Sequence, residues 1–519
     1  MKKKALIMAV TLLIIVQGAW AQKATTVHRR INCMGNYVET RGKANKSQPQ
    51  PFAFDPQITY RQPVVLITFN DADFSMDDPA AYYDRLFNEP GYNEGEGLGC
   101  VADYFREQSN SLVNLQFDIY GPVKIDEKAK SSFESNYGDT AMRKAIKKLC
   151  ETEETDFSIY DWDGDGEVNQ VLFIAASYSG NMLDGYIWPN SSFFYTKLPG
   201  DIYPYFYSIS TELWEDDSRC GIGTIIHEFL HCLGLPDIYP LGDATNFSTV
   251  DEWDLMDGGN YTNNGWCPPN LTAMEKMYLG WKTPIELTEA TTIEGMKPLS
   301  DNGETYIVRS SGNADEFYIL ENRRQEGWDY GCPGNGLLIY HVDFDEDEWR
   351  DNKVNISNDH YRYNLFHADG KDFLAWSPDN DCSDPSRYTM DGYMRSSYFS
   401  TSPYPYTDPI TLTINAALTD DSTPAATLFT ANADGQLMMS KAITNIRMAD
   451  DGTISFDFMK TDTGIRDASR LNDNGKMIND DGRTINDNGG WHTLDGRKMT
   501  TKPTAKGLYI YNGKKLIIK

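Results

Sequence analysis

Residues 227–237 read HEFLHCLGLPD. His227 and His231 stand four apart, a spacing that puts both imidazoles on one face of a helix and lets both reach one ion. Glu228 projects beside them, close enough to meet a water held by that ion. Zinc accepts two imidazole nitrogens and a carboxylate and leaves its fourth position to water. The ion lowers the pKa of that water to about 7. Glu228 is then the expected general base, passing the proton on to a leaving amine. Asp237, three residues after Gly234, is the expected third ligand. Asp251, Glu252, Asp254 and Asp257 lie downstream and compete for that place.

A second cluster has a different chemistry. Residues 161–169 read DWDGDGEVN, with Asp161, Asp163 and Asp165 at alternate positions and Gly166 at the sixth. Alternating carboxylates with a turn glycine open an EF-hand-type calcium loop. Its twelfth position is Leu172 rather than Glu, so the bidentate closing ligand is missing; Glu167 and Asn169 are the candidates to complete the shell. The competing interpretation is an Asp/Gly turn that leads into the strand after it.

These residues need a scaffold. Ile222, Ile225, Ile226, Phe229, Leu230 and Leu233 give the metal helix its apolar packing. Gly234 ends it in a left-handed conformation and Pro236 prevents its continuation. Buried strands are expected at 64–69 and 168–175, a further strand at 115–119, and helices at 98–108 and 140–150. Helices and strands alternate through the first 240 residues, which predicts a mixed α/β domain. From about residue 300 short strand-like runs recur (TYIVRS, FYILEN, GLLIYHVD, ITLTINAAL, TISFDFM), so that half is expected to be mostly β. Residues 461–490 hold a seven-residue repeat rich in Asn, Asp and Gly and read as a solvated linker. The final 29 residues regain apolar character.

The chain has 519 residues, 40% hydrophobic and 24% charged, which fits two or more domains with cores of their own. Its net charge of −29 argues against nucleic acid and anionic membranes as partners. Lys2, Lys3 and Lys4 precede an apolar run from Ala5 to Val16, and Ala19-Trp20-Ala21 offers a cleavage site. This reads as a signal peptide, with no membrane-spanning segment left after its removal. The eight cysteines form no C-x-x-C pair, leaving room for one or two bridges whose pairing the sequence does not specify. Cys33, in the N-terminal segment, is a candidate latency thiolate; Cys232 reads as packing.

HEFLHCLGLPDIY together with WDLMDGG (253–259) resembles the M6 family of secreted metallopeptidases, the immune inhibitor A-like proteases. GCVADYFREQS, DWDGDGEVNQVLF, FYILENRRQEGWD and GLLIYHVD extend the similarity over roughly residues 60–375. The resemblance implies a metzincin-like zinc endopeptidase. His227, His231 and Asp237 are then its zinc ligands, Glu228 its catalytic residue, and Met256 its Met-turn, the apolar floor beneath the ligands. Tyr239 and Tyr261 flank the motif and are candidate donors to the oxyanion. LDGRKM followed by GLYIYNGKK resembles the sorting tails of type IX secretion cargo, which implies export to the outside or cell surface and the secretion machinery as a partner.

The expected organisation is a signal peptide (1–21), an N-terminal extension or pro-segment (22–57), an α/β (α+β) catalytic domain (58–300), a β-rich region continuous with it (301–460), a linker (461–490) and a sorting tail (491–519). The expected activity is hydrolysis of peptide bonds in protein or peptide substrates, with zinc and calcium as cofactors. Two alternatives stand beside it. One is a zinc amidase acting on cell walls, and the other a surface binding protein that kept the fold without turnover.

Overall fold

The computed structural model describes residues 49–519 except 131–137, 153–154, 180–186, 194–195, 200–201, 242–248, 358–359, 372–398, 461–464, 468–490, 494–497, 500, 512–513 and 519. The signal peptide, Cys33, Cys382 and most of the repeat linker lie outside the described residues. The described part divides into two units, ending and beginning at Phe458 and Met459.

The first unit is built on a five-stranded sheet of order β2-β1-β3-β5-β4. Its strands are β1 (Tyr60–Thr68), β2 (Leu115–Lys124), β3 (Glu167–Tyr178), β4 (Asn190–Phe193) and β5 (Tyr203–Leu213). β2, β1, β3 and β5 run parallel, and β4 is an antiparallel edge. Successive strand residues point to opposite faces. Val64, Leu66, Leu172 and Ile174 therefore enter one core, while Val65, Ile67, Val171 and Phe173 enter another. The first core also takes α1 (Pro79–Asn88), α2 (Val101–Gln108) and α4 (Gly223–His231). The second takes the amphipathic α3 (Asp139–Thr152).

The β-rich half closes over the first core from the other side. Its main sheet has the order β11-β10-β9-β8-β6, with β6 (Ile285–Glu286), β8 (Tyr306–Arg309), β9 (Glu316–Arg323), β10 (Gly336–Asp343) and β11 (Tyr363–Leu365). Phe317 and Ile319 of β9 join Leu338, Tyr340 and Val342 of β10 in the core that also holds Ile225, Ile226, Phe229 and Leu230 of α4. Each such side chain, fully buried, contributes about 1.5–3 kcal/mol. The opposite face, with Tyr318, Leu320, Leu337 and Ile339, packs on a three-stranded sheet of β7 (Thr291–Met296), β14 (Ile443–Met448) and β15 (Ile454–Phe458). The short α5 (Ala273–Tyr278) joins the two halves and carries a Thr272/Glu275 capping box.

Local physics explains where element ends depart from expectation. The helix expected from residue 98 starts at Val101, because Cys100 Sγ accepts from Asp103 N–H and Asp103 Oδ2 accepts from Cys100 N–H. The run ITLTINAAL is not one strand: Leu412 sits at φ 58°, β13 (Ile414–Asn415) pairs with β12 (Tyr406–Thr407), and Leu418 bridges separately to Ile443. β5 was not expected, since Ser208, Ser210, Thr211 and Glu212 interrupt its apolar pattern although all four are buried. The six described cysteines are thiols rather than disulfides. In the second unit, β16 (Ile465–Asp467), β17 (Trp491–His492), β18 (Lys498–Met499), β19 (Gly507–Tyr511) and β20 (Lys514–Ile518) form a sheet of order β16-β20-β19-β17-β18.

Candidate metal centre and active site

α4 begins at Gly223, and no larger residue fits there: a Cβ at that position would fall 2.1 Å from the Asn260 carbonyl oxygen. The helix ends as its sequence requires. Gly234 has φ 90°, and Leu235 N–H donates back to the Leu230 carbonyl at 3.2 Å. This turn sends the chain back along the helix and brings Asp237 to the two histidines.

The donor atoms converge. Asp237 Oδ1 lies 3.2 Å from His227 Nε2 and 3.3 Å from His231 Nε2. Each imidazole is oriented by its other nitrogen. His227 Nδ1–H donates to the Leu255 carbonyl at 2.9 Å, and His231 Nδ1–H donates to the Leu235 carbonyl at 2.8 Å. A carbonyl only accepts, so the proton sits on Nδ1 and both Nε2 lone pairs face the common point. Asn352 fixes the carboxylate from behind: its Nδ2 donates to Asp237 Oδ2 at 2.8 Å and its Oδ1 accepts from Asp237 N–H at 2.6 Å. Tetrahedral zinc with ligand bonds near 2.0–2.1 Å sets its donors roughly 3.3 Å apart, which both carboxylate–imidazole separations match.

The other expected residues have their own surroundings. Glu228 is buried in α4 between His227 and Phe229. Met256 is fully buried in the turn that follows Asp254, and its carbonyl accepts from Ile238 N–H at 2.9 Å, next to Asp237. The downstream acids are engaged elsewhere: Asp254 Oδ1 accepts from Met256 N–H, and Asp257 Oδ2 from Asp251 N–H. Asp251 and Glu252 lie buried in the same turn. Tyr239 is half-buried two residues past Asp237, and Tyr261 packs on Trp214 at 5.9 Å.

Residues 194–283 match the profile of the immune inhibitor A peptidase M6 catalytic domain, a span that contains the whole His227–Met256 constellation. This stretch of the chain is similar to an M6-type metallopeptidase domain. Among curated proteins, the pre-pro-metalloprotease PrtV of Vibrio cholerae serotype O1, strain M66-2, is 20% identical over 39% of this chain. PrtV of strain ATCC 39315 / El Tor Inaba N16961 matches to the same extent. The match spans 26% of the length of these relatives. Similarity to a metallopeptidase domain implies a metal, and His227, His231 and Asp237 are a group that could hold one.

Away from this group, Asp161, Asp163 and Asp165 also lie close enough together to share an ion. Asp161 folds the loop itself, accepting from the N–H groups of Gly164, Asp165 and Gly166. Glu167 N–H donates to Asp165 Oδ1, and Asn169 Oδ1 accepts from Trp162 N–H. Burial, then Asp165 and Asp161, raises the Asp163 pKa. Asn352 and the Leu255 and Leu235 carbonyls went unnoticed in the sequence. Asn352 lies 115 residues from Asp237 and carries no motif.

Proposed function

We propose that this protein is a secreted zinc-dependent metalloendopeptidase. The observation that supports this best is the convergence of two Nε2 lone pairs and one carboxylate oxygen on a single point. Bound there, zinc would acidify a water and polarise the peptide carbonyl. The remaining work falls to the chain. Glu228 takes the proton from the attacking water and delivers it to the leaving amine. Tyr239 and Tyr261 are the hydroxyls offered to the developing oxyanion, and Met256 floors the ligand group. Hydrolysis of an unfolded protein is expected to stop on chelation and to return with stoichiometric zinc. Cleavage of peptidoglycan but of no protein would favour the amidase alternative, and zinc binding without any cleavage the binding-protein alternative.

Calcium at Asp161, Asp163 and Asp165, with Glu167 and Asn169, belongs to the same proposal. Calcium at 100 times its Kd is expected to stabilise the zinc-saturated protein by about 2.7 kcal/mol. Unfolding of the Asp163→Asn/Asp165→Asn variant should not respond to calcium. An equal response in variant and parent would leave only the Asp/Gly turn. The signal peptide and the C-terminal tail, engaged by the secretion machinery, complete the proposal. Among the described residues no helix is long and apolar enough to cross a membrane.

A further inference from the structure

Beneath the Met256 turn lies a buried set of ionisable side chains that the proposed hydrolysis does not use. Asp254 is 0% exposed and Glu275, in α5, is 1% exposed. Each carboxyl group spends one oxygen on a backbone donor. Asp254 Oδ1 accepts from Met256 N–H at 2.7 Å, and Glu275 Oε2 from Thr272 N–H at 2.6 Å. The other two oxygens, Asp254 Oδ2 and Glu275 Oε1, are buried and receive no N–H or hydroxyl donor among the described residues. The two side chains nevertheless meet as hydrogen-bond partners. Two carboxylates cannot hydrogen-bond to each other unless one carries a proton.

We propose that Asp254 and Glu275 share a proton between Oδ2 and Oε1, and that this bond fastens α5 to the turn holding Leu255 and Met256. Asp254 and Glu275 are thus positioning residues: the turn they secure supplies the Leu255 carbonyl that orients His227.

The surroundings favour retention of that proton. Arg323 of β9 turns its two Nη atoms to Glu321 and Asp329. Glu321 also accepts from Ala273 N–H and Tyr340 hydroxyl, so it has no need of a further proton. Asp257, in the same turn as Asp254, adds negative charge. Lys276 is a weak counterion, since burial and Lys282 push its own pKa down to about 7, so that its charge fades across the same pH range. Tyr104, Tyr340 and Tyr363 face the cluster from α2, β10 and β11, and burial raises each of them well above the ordinary phenol range, so all three are neutral. Burial, then Glu275 and Asp257, likewise raises Asp254 well above the carboxylate range, and burial brings Glu275 up to about 7.

The direction of the pH effect follows. Both groups are raised in the folded chain, so their contribution is complete below the unfolded carboxylate values and is lost as pH rises through the folded ones. Each proton that only the folded chain retains raises the unfolding constant about tenfold per pH unit. Asp254→Asn replaces the shared proton with a permanent N–H donor, and Glu275→Gln does so from the other side. Denaturant unfolding of the full-length chain should show the unfolding constant of the parent rising by roughly tenfold per unit more than that of Asp254→Asn between about pH 5 and 8. Parallel pH curves for the parent and either folded variant would overturn the proposal. Infrared spectra of the parent test it without any variant. A carboxylic acid carbonyl band persisting at about pH 8 and shifting in deuterated water is expected for a protonated buried pair, and its absence would also overturn the proposal.

Discussion

Glu228→Ala is expected to bind zinc with unchanged stoichiometry and to lose hydrolysis of an unfolded protein by at least 10²–10⁴-fold, the usual contribution of a positioned acid–base group. Metal retention follows from the way the ligands are held. Leu255 and Leu235 carbonyls orient the imidazoles, and Asn352 orients Asp237. None of these bonds involves Glu228. The helix survives too, because Ala is the best helix former and the packing of Ile225, Ile226, Phe229 and Leu230 is untouched. Glu228→Gln is the sharper control, since it keeps shape and burial and removes only the basicity. Metal analysis of both variants alongside kcat/KM decides the matter. Activity within tenfold of the parent would remove Glu228 from its role, and loss of zinc from Glu228→Gln would make it a structural residue instead.

What the sequence disclosed about this site depended on distance along the chain. The grouping of His227, His231 and Asp237 was legible because a helical turn and a Gly234 stop are local features with fixed geometry, and the structure brings the three together. Continuous β-branched apolar runs likewise exposed β1 and β3, an amphipathic helical pattern α3, and recurring short strand-like runs the β-rich character beyond residue 300. The supports were not legible. Asn352 reaches Asp237 across 115 residues, and the Leu255 carbonyl is a backbone atom that any residue would supply. β5 hid because buried Ser208, Ser210, Thr211 and Glu212 break its apolar pattern, and the Ser75 partner of Glu212 lies 137 residues away. Nor did the strand runs show that β9 and β10 would pack against the metal helix, since alternation marks which face is buried but not what it is buried against.

Arg323→Ala is expected to destabilise the first unit by about 3–5 kcal/mol, the cost of removing one partner from a buried ion network. Arg323 is 0% exposed at the end of β9. Its Nη1 lies 2.9 Å from Glu321 Oε1 and its Nη2 2.8 Å from Asp329 Oδ1, while Nη2 also donates to the Trp253 carbonyl at 3.2 Å. Truncation leaves Glu321 and Asp329 charged and buried without their cation. It also removes the bond by which this strand grips the 251–257 turn at the Trp253 carbonyl. Arg323→Lys is expected to recover little, because an ammonium cannot present two parallel donors in the plane that both carboxylates occupy. Denaturant unfolding followed by tryptophan emission measures the loss, with Trp253 a direct reporter of the turn. A loss below about 1 kcal/mol would mean that water or rearranged side chains replace the guanidinium, since an unpaired buried charge costs more than that. The size of the loss matters for the site as well as for the fold. The turn that Arg323 holds from one side is the turn whose Leu255 carbonyl orients His227, so the β-rich half is expected to set metal affinity without contributing a ligand. Zinc affinity and stability should therefore fall together in Arg323→Ala, whereas in Glu228→Ala both should hold while turnover is lost.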